Sequence, residues 1–275
     1  MIKARNLCRI ASENSPESIN LAITGPKIDN INSIIDDLSK IFIVKNLGPI
    51  SNYLGIEITR KNGEISLNQK DYIQKILKRF KMKDSNPVTT PMDSKFDTTP
   101  LNASESAKKE DITWYQTAIG SLLYAALATR PDIAFAVSTL ERYASNPSEY
   151  HQTAVKRIFR YLKDTINYGI KYSKNEYLTG YSDSDYAGER GEYKSTSGYI
   201  FFLENGPISY QSKLQRITAQ SSTEAEYIAL CNATKEAIYL KDLLTELGHF
   251  KQQNLPIYCD SNGAIVVVVN SINLI

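Results

Sequence analysis

The sequence is poor in the residues that build cross-linked or zinc-stapled frames. Three cysteines, Cys8, Cys231 and Cys259, are spread over 275 residues. Their odd number and the lack of any CxxC spacing argue against a disulfide framework or a structural zinc site, and fit a reducing compartment. The two histidines, His151 and His249, stand alone, one near a helix start and one just past a helix stop, and read as structural. No apolar run reaches the roughly 20 residues of a membrane-spanning helix. Met1 to Ser15 lack the apolar stretch and small-residue cleavage site of a secretory leader. The expectation is a cytoplasmic or nuclear protein without a membrane partner. No repeat of about 20–50 residues is found.

The length allows one or two domains, and a hydrophobic content of 42% is ordinary for a globular chain. The net charge of +2 hides an asymmetry: residues 1–176 sum to +6 and residues 177–275 to −4. A basic front and an acidic back suit a phosphate-tracking part beside a cation-binding part, or simply two surfaces of different sign.

Residues 1–20 are polar, without period, and read as poorly ordered. Leu21-Ala22-Ile23-Thr24 reads as a short strand, and Ile31, Ile34, Ile35 and Leu38 have helical spacing within 28–42. Residues 53–67 alternate around Asn62-Gly63, the signature of a tight hairpin. Ile73, Ile76, Leu77 and Phe80 line one face of a helix at 71–81. Residues 84–111, with Pro87, Pro91 and Pro100 among Ser, Thr, Asn and Asp, read as a linker or a loosely draped segment. Helical patterns follow at 113–128, 131–144 and 147–164, with Pro131 and Pro147 suited to first turns. From Tyr177 the period shifts: strands at 178–182, 196–203 and 207–218, a long helix at 223–247 closed by Gly248, and a short strand at 255–259. Residues 261–270 are ambiguous. Val266 to Val269 favour a strand and the position after a strand-end Asp favours a helix.

Three carboxylates sit at the ends of these elements. Asp183 lies in Tyr181-Ser182-Asp183-Ser184-Asp185, Glu226 in Ser221-Ser222-Thr223-Glu224-Ala225-Glu226, and Asp260 closes Ile257-Tyr258-Cys259. Each has an ordinary structural explanation: a turn Asp for Asp183, a capping box with Thr223 for Glu226, a helix cap for Asp260. Ser221 and Glu224 share the capping-box spacing and could cap instead, which would free Glu226. Taken together, the three could converge on one edge of a sheet, where clustered carboxylates hold divalent cations.

Several runs resemble a known family. Ser182-Asp183, Lys194-Ser195-Thr196-Ser197-Gly198-Tyr199, Ser221 to Tyr227 and Tyr258-Cys259-Asp260 resemble the ribonuclease H domain of copia-type retrotransposon Pol polyproteins. Asn46-Leu47-Gly48, Tyr53-Leu54-Gly55-Ile56, Gly120-Ser121-Leu122-Leu123-Tyr124 and Ala128-Thr129-Arg130-Pro131-Asp132-Ile133 resemble the end of the reverse transcriptase and its connection in the same family. The likeness covers roughly residues 21–270.

The resemblance implies an α+β or α/β chain: a reverse transcriptase palm remnant at 21–83, a linker at 84–111, a helical thumb or connection at 112–176, and a truncated ribonuclease H-like domain at 177–275. That last domain would have three antiparallel strands, a long helix and a fourth strand. It implies Asp183, Glu226 and Asp260 as catalytic metal ligands for two Mg²⁺ or Mn²⁺ ions, and the RNA strand of an RNA–DNA hybrid as substrate. In the family, two adjacent aspartates precede the run resembling Leu21 to Gly25. Here Ile19 and Asn20 stand there, so no polymerase activity is expected. The family's further strand, helix and last catalytic Asp would lie past Ile275, so impaired cleavage is expected. The alternative is a non-catalytic nucleic-acid-binding remnant, or a decayed copy without a selected role. The basic faces of two helices, Lys156, Arg157, Arg160 and Lys163 on one and Lys75, Lys78 and Arg79 on the other, are the candidate nucleic-acid contacts. An ordinary solvated face is the other reading of both.

Overall fold

The structure is a computed structural model that describes residues 35–43, 49–94, 96–97, 107–174, 177–189, 191–248, 250 and 252–272. The expected strand at 21–24, the positions Ile19 and Asn20, the start of the helix expected over 28–42, and His249 lie outside them. Residues 35–39 are helical.

The first half builds a four-stranded antiparallel sheet in the order β1 (Asn52–Tyr53), β2 (Ile56–Lys61), β3 (Glu64–Asn68), β4 (Gly169–Tyr172). Asn62 and Gly63 both have positive φ, which a two-residue hairpin turn demands and which glycine adopts without strain. Strand β4 corrects the expectation of a purely helical region over 112–176: Ile65 pairs with Tyr172 and Asn68 with Gly169, across about a hundred residues of sequence.

Four helices pack as one layer: α1 (Lys70–Arg79), α2 (Lys109–Ala128), α3 (Ala134–Glu141) and α4 (Glu149–Asp164), with a 3₁₀ turn at Pro131–Ile133. Their shared core includes Ile73 and Leu77, Tyr115 and Leu122, Val137 and Leu140, and Ile158 and Phe159. Both α1, from the proposed palm remnant, and α4, from the proposed connection, thus belong to one hydrophobic core. Residues 85–97 are draped over that core, with Val88, Met92 and Phe96 packed against it. Helix α2 begins at Lys109, inside the span read as linker.

Helix α4 starts with a reciprocal cap. Ser148 Oγ accepts from the His151 backbone N–H, and the Ser148 N–H donates to His151 Nδ1. His151 is buried, stacks on Tyr143 with ring centroids 3.8 Å apart, and its pKa is lowered by burial. Arg130, almost wholly buried, ties this layer together. It donates to the Asp132 carboxylate from Nε and Nη2 (2.9 and 2.7 Å) and to the Thr165 carbonyl from Nη1 (3.0 Å), and lies over the rings of Tyr161 and Tyr168.

The second half is a sheet in the order β7 (Gly206–Leu214), β6 (Thr196–Leu203), β5 (Thr179–Asp185), β8 (Ile257–Tyr258). β5, β6 and β7 are antiparallel and β8 runs parallel to β5. Helix α5 (Ser222–Glu246) crosses one face. Its buried stripe Ala225, Ala229, Ala233, Ala237, Leu240 and Leu244 recurs at steps of three and four, and the alanines let it lie close to Leu178 and Phe201. Gly180 has the same cause: a Cβ there would run into the Phe201 ring. The ambiguous segment after Asp260 is helix α6 (Asn262–Ile272). Among the described residues, no helix is long and apolar enough to cross a membrane.

Candidate metal centre

Each of the three carboxylates had an ordinary structural explanation, and in no case does the structure assign it: neighbours cap the helices beside Glu226 and Asp260, and Asp183 lies in a strand. At α5, Ser221 Oγ accepts from the Glu224 N–H and Glu224 Oε2 accepts from the Gln220 N–H, so Ser221 and Glu224 cap the helix and Glu226 is free of capping. At α6, Ser261 Oγ accepts from the Ala264 N–H, so Ser261 is the cap and Asp260 is not. Asp183 is in no turn: it lies inside β5, paired with Gly198.

Glu226 is buried and reaches the end of β5. Its Oε1 accepts from the Ser184 backbone N–H at 3.1 Å and from Ser184 Oγ at 2.9 Å. The parallel pairing of Tyr181 with Tyr258 then sets the next residues of the two strands side by side. Glu226, Cys259 and Asp260 each offer a ligand atom, all within 4.8 Å of one another. The Cys259 thiol lies 3.9 Å from Glu226 Oε2.

Asp183 is not part of that group. Gly180, Ser182 and Ser184 face α5, and Asp183 borders a recess with Tyr181, Pro131 and Phe135, but its Oδ1 accepts from the Ser184 N–H at 2.8 Å, the same donor that Glu226 Oε1 accepts at 3.1 Å. Of the three carboxylates expected at one point, Glu226 and Asp260 come together with the Cys259 thiol, and Asp183 lies at their border, sharing the Ser184 N–H with Glu226. Burial raises the Glu226 pKa, Ser184's two hydrogen bonds oppose this, and the charges of Asp183 and Asp260 add to it. Cys259 is likewise raised, first by burial and then by Glu226, Asp260 and Asp183. Asp185 is raised by burial and by Asp183, with Arg142 opposing.

Two contributors, Ser184 and Cys259, were not singled out from the sequence. The signal for both was present in the alternation of two adjacent strands. Ser184 follows Asp183 and must face the helix if Asp183 does not, and Cys259 lies two residues beyond the inward Ile257.

The expected basic stripe of α4 is largely engaged within the chain. Arg157 donates to Thr90 Oγ1 and lies 3.6 Å from Asp93, Arg160 donates to the Asn86 carbonyl at 2.6 Å, and Lys163 donates to the Ser85 carbonyl at 2.7 Å. Lys156 lies over the Trp114 ring. These side chains fasten the draped segment 85–93. Lys75, Lys78 and Arg79 on α1 are exposed.

Residues 19–94 match the reverse transcriptase (RNA-dependent DNA polymerase) family. The chain is 41% identical over 258 residues to the retrovirus-related Pol polyprotein from transposon TNT 1-94 of Nicotiana tabacum, a match covering 91% of this chain and 19% of that protein. It is 40% identical over 254 residues to the Pol polyprotein from transposon RE1 of Arabidopsis thaliana, covering 92% and 17%. A putative transposon Ty5-1 protein of Saccharomyces cerevisiae is 33% identical over 220 residues, covering 78% of this chain and 70% of that protein. The mixed α/β fold with two sheets and the reverse transcriptase-like region define a retroelement protein. The chain belongs to the copia-type, retrovirus-related Pol polyproteins of transposons. It spans less than a fifth of the length of the plant polyproteins it matches. No solved structure matches it.

Proposed function

We propose that residues 177–272 form a ribonuclease H-like unit whose carboxylates bind a divalent cation and hydrolyse the RNA strand of an RNA–DNA hybrid. The observation that carries this reading is the pairing of Glu226 and Asp260 at the shared end of β5 and β8, with their capping roles taken by Ser221, Glu224 and Ser261. Like charges held together and partly buried are costly unless a cation joins them.

The donor set fits a hard divalent ion. Glu226 and Asp260 are oxygen donors of the kind Mg²⁺ and Mn²⁺ take. Cys259 is a poor donor for Mg²⁺ and serves as a wall of the site, its thiol pKa raised first by burial and then by the neighbouring carboxylates. When bound, such ions would acidify an attacking water and stabilise the departing 3′ oxygen. The chain's own part is orientation. Ser184 fixes Glu226 Oε1 with two donors, leaving Oε2 toward Cys259 and Asp260. Asp183 accepts from the same Ser184 N–H as Glu226 and adds negative charge beside it. The remainder of the family's activities, polymerisation included, has no support in these residues.

Incubation of the purified chain with an end-labelled hybrid in Mg²⁺ or Mn²⁺ tests the proposal. The expected result is internal cleavage of the RNA strand, reduced on the order of 10²-fold or more by Glu226→Gln and by Asp260→Asn. No cleavage in either metal, or cleavage that both variants retain, would refute it. The exposed cations Lys75, Lys78 and Arg79 support a second reading, non-catalytic binding of nucleic acid. It requires hybrid affinity that falls with salt and is unchanged by Asp183→Asn.

A further inference from the structure

A cavity of about 460 Å³ lies away from the carboxylate pair, in a groove between α2 and α3 on one side and β7 and α5 on the other. Its volume falls within the roughly 300–1,000 Å³ of small-molecule sites. Leu123, Leu127, Ile208 and Leu243 give it apolar walls. Two polar groups on the lining have hydrogen-bonding capacity to spare. Glu236 is a buried carboxylate held by neutral donors: Ser209 Oγ at 2.7 Å, and the Tyr199 hydroxyl, whose pKa is pushed up to about 12 mainly by burial. No cation among the described residues pairs with it, although buried carboxylates are ordinarily paired. A carboxylate has about four acceptor positions, so Glu236 has capacity to spare. Across the groove, Arg142 donates from Nε to the Thr139 carbonyl, while its Nη1 is buried and lacks a partner. Lys213 is at the exposed lip of the same groove.

An occupant must therefore offer flat apolar surface to the walls, N–H donors to Glu236, and an acceptor or anionic end to Arg142 and Lys213. We infer that the groove is a binding site for a guanine nucleotide, with the base between the apolar walls, its N1–H and N2–H donating to Glu236, and its phosphate toward Arg142 and Lys213. Guanine presents two adjacent N–H donors on one edge, the pattern a carboxylate accepts. Adenine presents a ring-nitrogen acceptor there and would set it against Glu236. The same chemistry is offered by a free nucleotide or by an unpaired guanosine in a single strand. This inference does not depend on the cation site.

Calorimetric titration of the whole chain with GMP, AMP and inorganic phosphate tests it. The expected result is saturable GMP binding at least ten times tighter than AMP or phosphate, weakened at least tenfold by Glu236→Gln and unchanged by Asp260→Asn. Because Glu236 is buried and its variant can misfold, Leu127→Trp provides a second arm. Leu127 is half exposed, so a larger side chain there would fill the groove without entering the core. An oligo(A) strand with one internal guanosine separates the sources. Competition with GMP assigns the site to a strand, and lack of competition assigns it to free nucleotide. Equal affinity for GMP and AMP, binding no tighter than phosphate, GMP binding that survives both Glu236→Gln and Leu127→Trp, or no binding at all would overturn the inference.

Discussion

The helical half and the second-sheet half treat charge in opposite ways. In the helical half, Arg130, Arg160 and Lys163 are matched to acceptors, and Arg142, at the groove, is the exception. Arg130 spends its donors on Asp132 and Thr165, and Arg160 and Lys163 hold the carbonyls of Asn86 and Ser85. In the second half, carboxylates gather with no cation paired to them among the described residues: Glu226 and Asp260 side by side, Asp183 close by, and Glu236 at the groove. A region shaped for stability pairs its charges. One shaped to bind something leaves like charges together and accepts the cost. The likeness to Pol polyproteins covers both halves, but the electrostatic signature of a site is confined to one.

The largest expected effect comes from breaking a matched network. Arg130→Met leaves the Thr165 carbonyl and the Asp132 carboxylate without their shared donor, and should cost about 3 kcal/mol or more of stability in urea unfolding. A loss under about 1 kcal/mol would show that the network is not what holds α2, α4 and the 3₁₀ turn together.

Next comes a contrast in pH. His151 has its pKa lowered from 6.5 by burial. The unfolded chain therefore binds this proton more readily, and the stability His151 contributes is full above pH 6.5 and lost as pH falls through the lowered value. Glu226 has its pKa raised from 4.5, by burial first. Its contribution is full below pH 4.5 and lost as pH rises through the raised value. Hydrogen exchange resolved by region should show α4 losing protection on acidification below pH 6.5 while the start of α5 gains it. Parallel pH trends in the two helices would break the comparison. His151→Gln, which can still cap the helix, should flatten the first trend while changing stability at neutral pH by less than about 1 kcal/mol.

The smallest effect concerns the surface. Replacing Lys75, Lys78 and Arg79 together by alanine should weaken binding to any hybrid uniformly and lower the salt slope by up to about three. The equivalent change at Arg160 and Lys163 should instead loosen segment 85–93, seen as faster proteolysis there, because those cations serve the chain itself.

Much of this fold can be read in the sequence where the forces are local. Asn62-Gly63 marks a hairpin because both residues tolerate positive φ, and the stripe from Ala225 to Leu244 marks a helix because its period is set by helical geometry. What could not be read depends on contacts distant in sequence. Gly169 to Tyr172 is too short to announce a strand, and becomes one because β3 offers an open edge. Residues 84–97 look like a linker by composition, yet three sparse apolar side chains and the cations of α4 anchor them. Val266 to Val269 favour a strand locally, and the Ser261 cap tips them into a helix. In the site, the motifs named two strand ends and a helix start that the structure brings near one another. That Ser184 and Cys259 turn toward Glu226, and that Asp183 and Glu226 share the Ser184 N–H, needed the register of β5 against β8.

The central claim is that Glu226 and Asp260 share a divalent cation, and titration of the chain with Mn²⁺ by calorimetry tests it most directly. Saturable binding that releases protons, and that disappears in the Glu226→Gln, Asp260→Asn double variant, is the predicted result. Binding of equal strength in the double variant, or heat no greater than dilution in the unaltered chain, would contradict it.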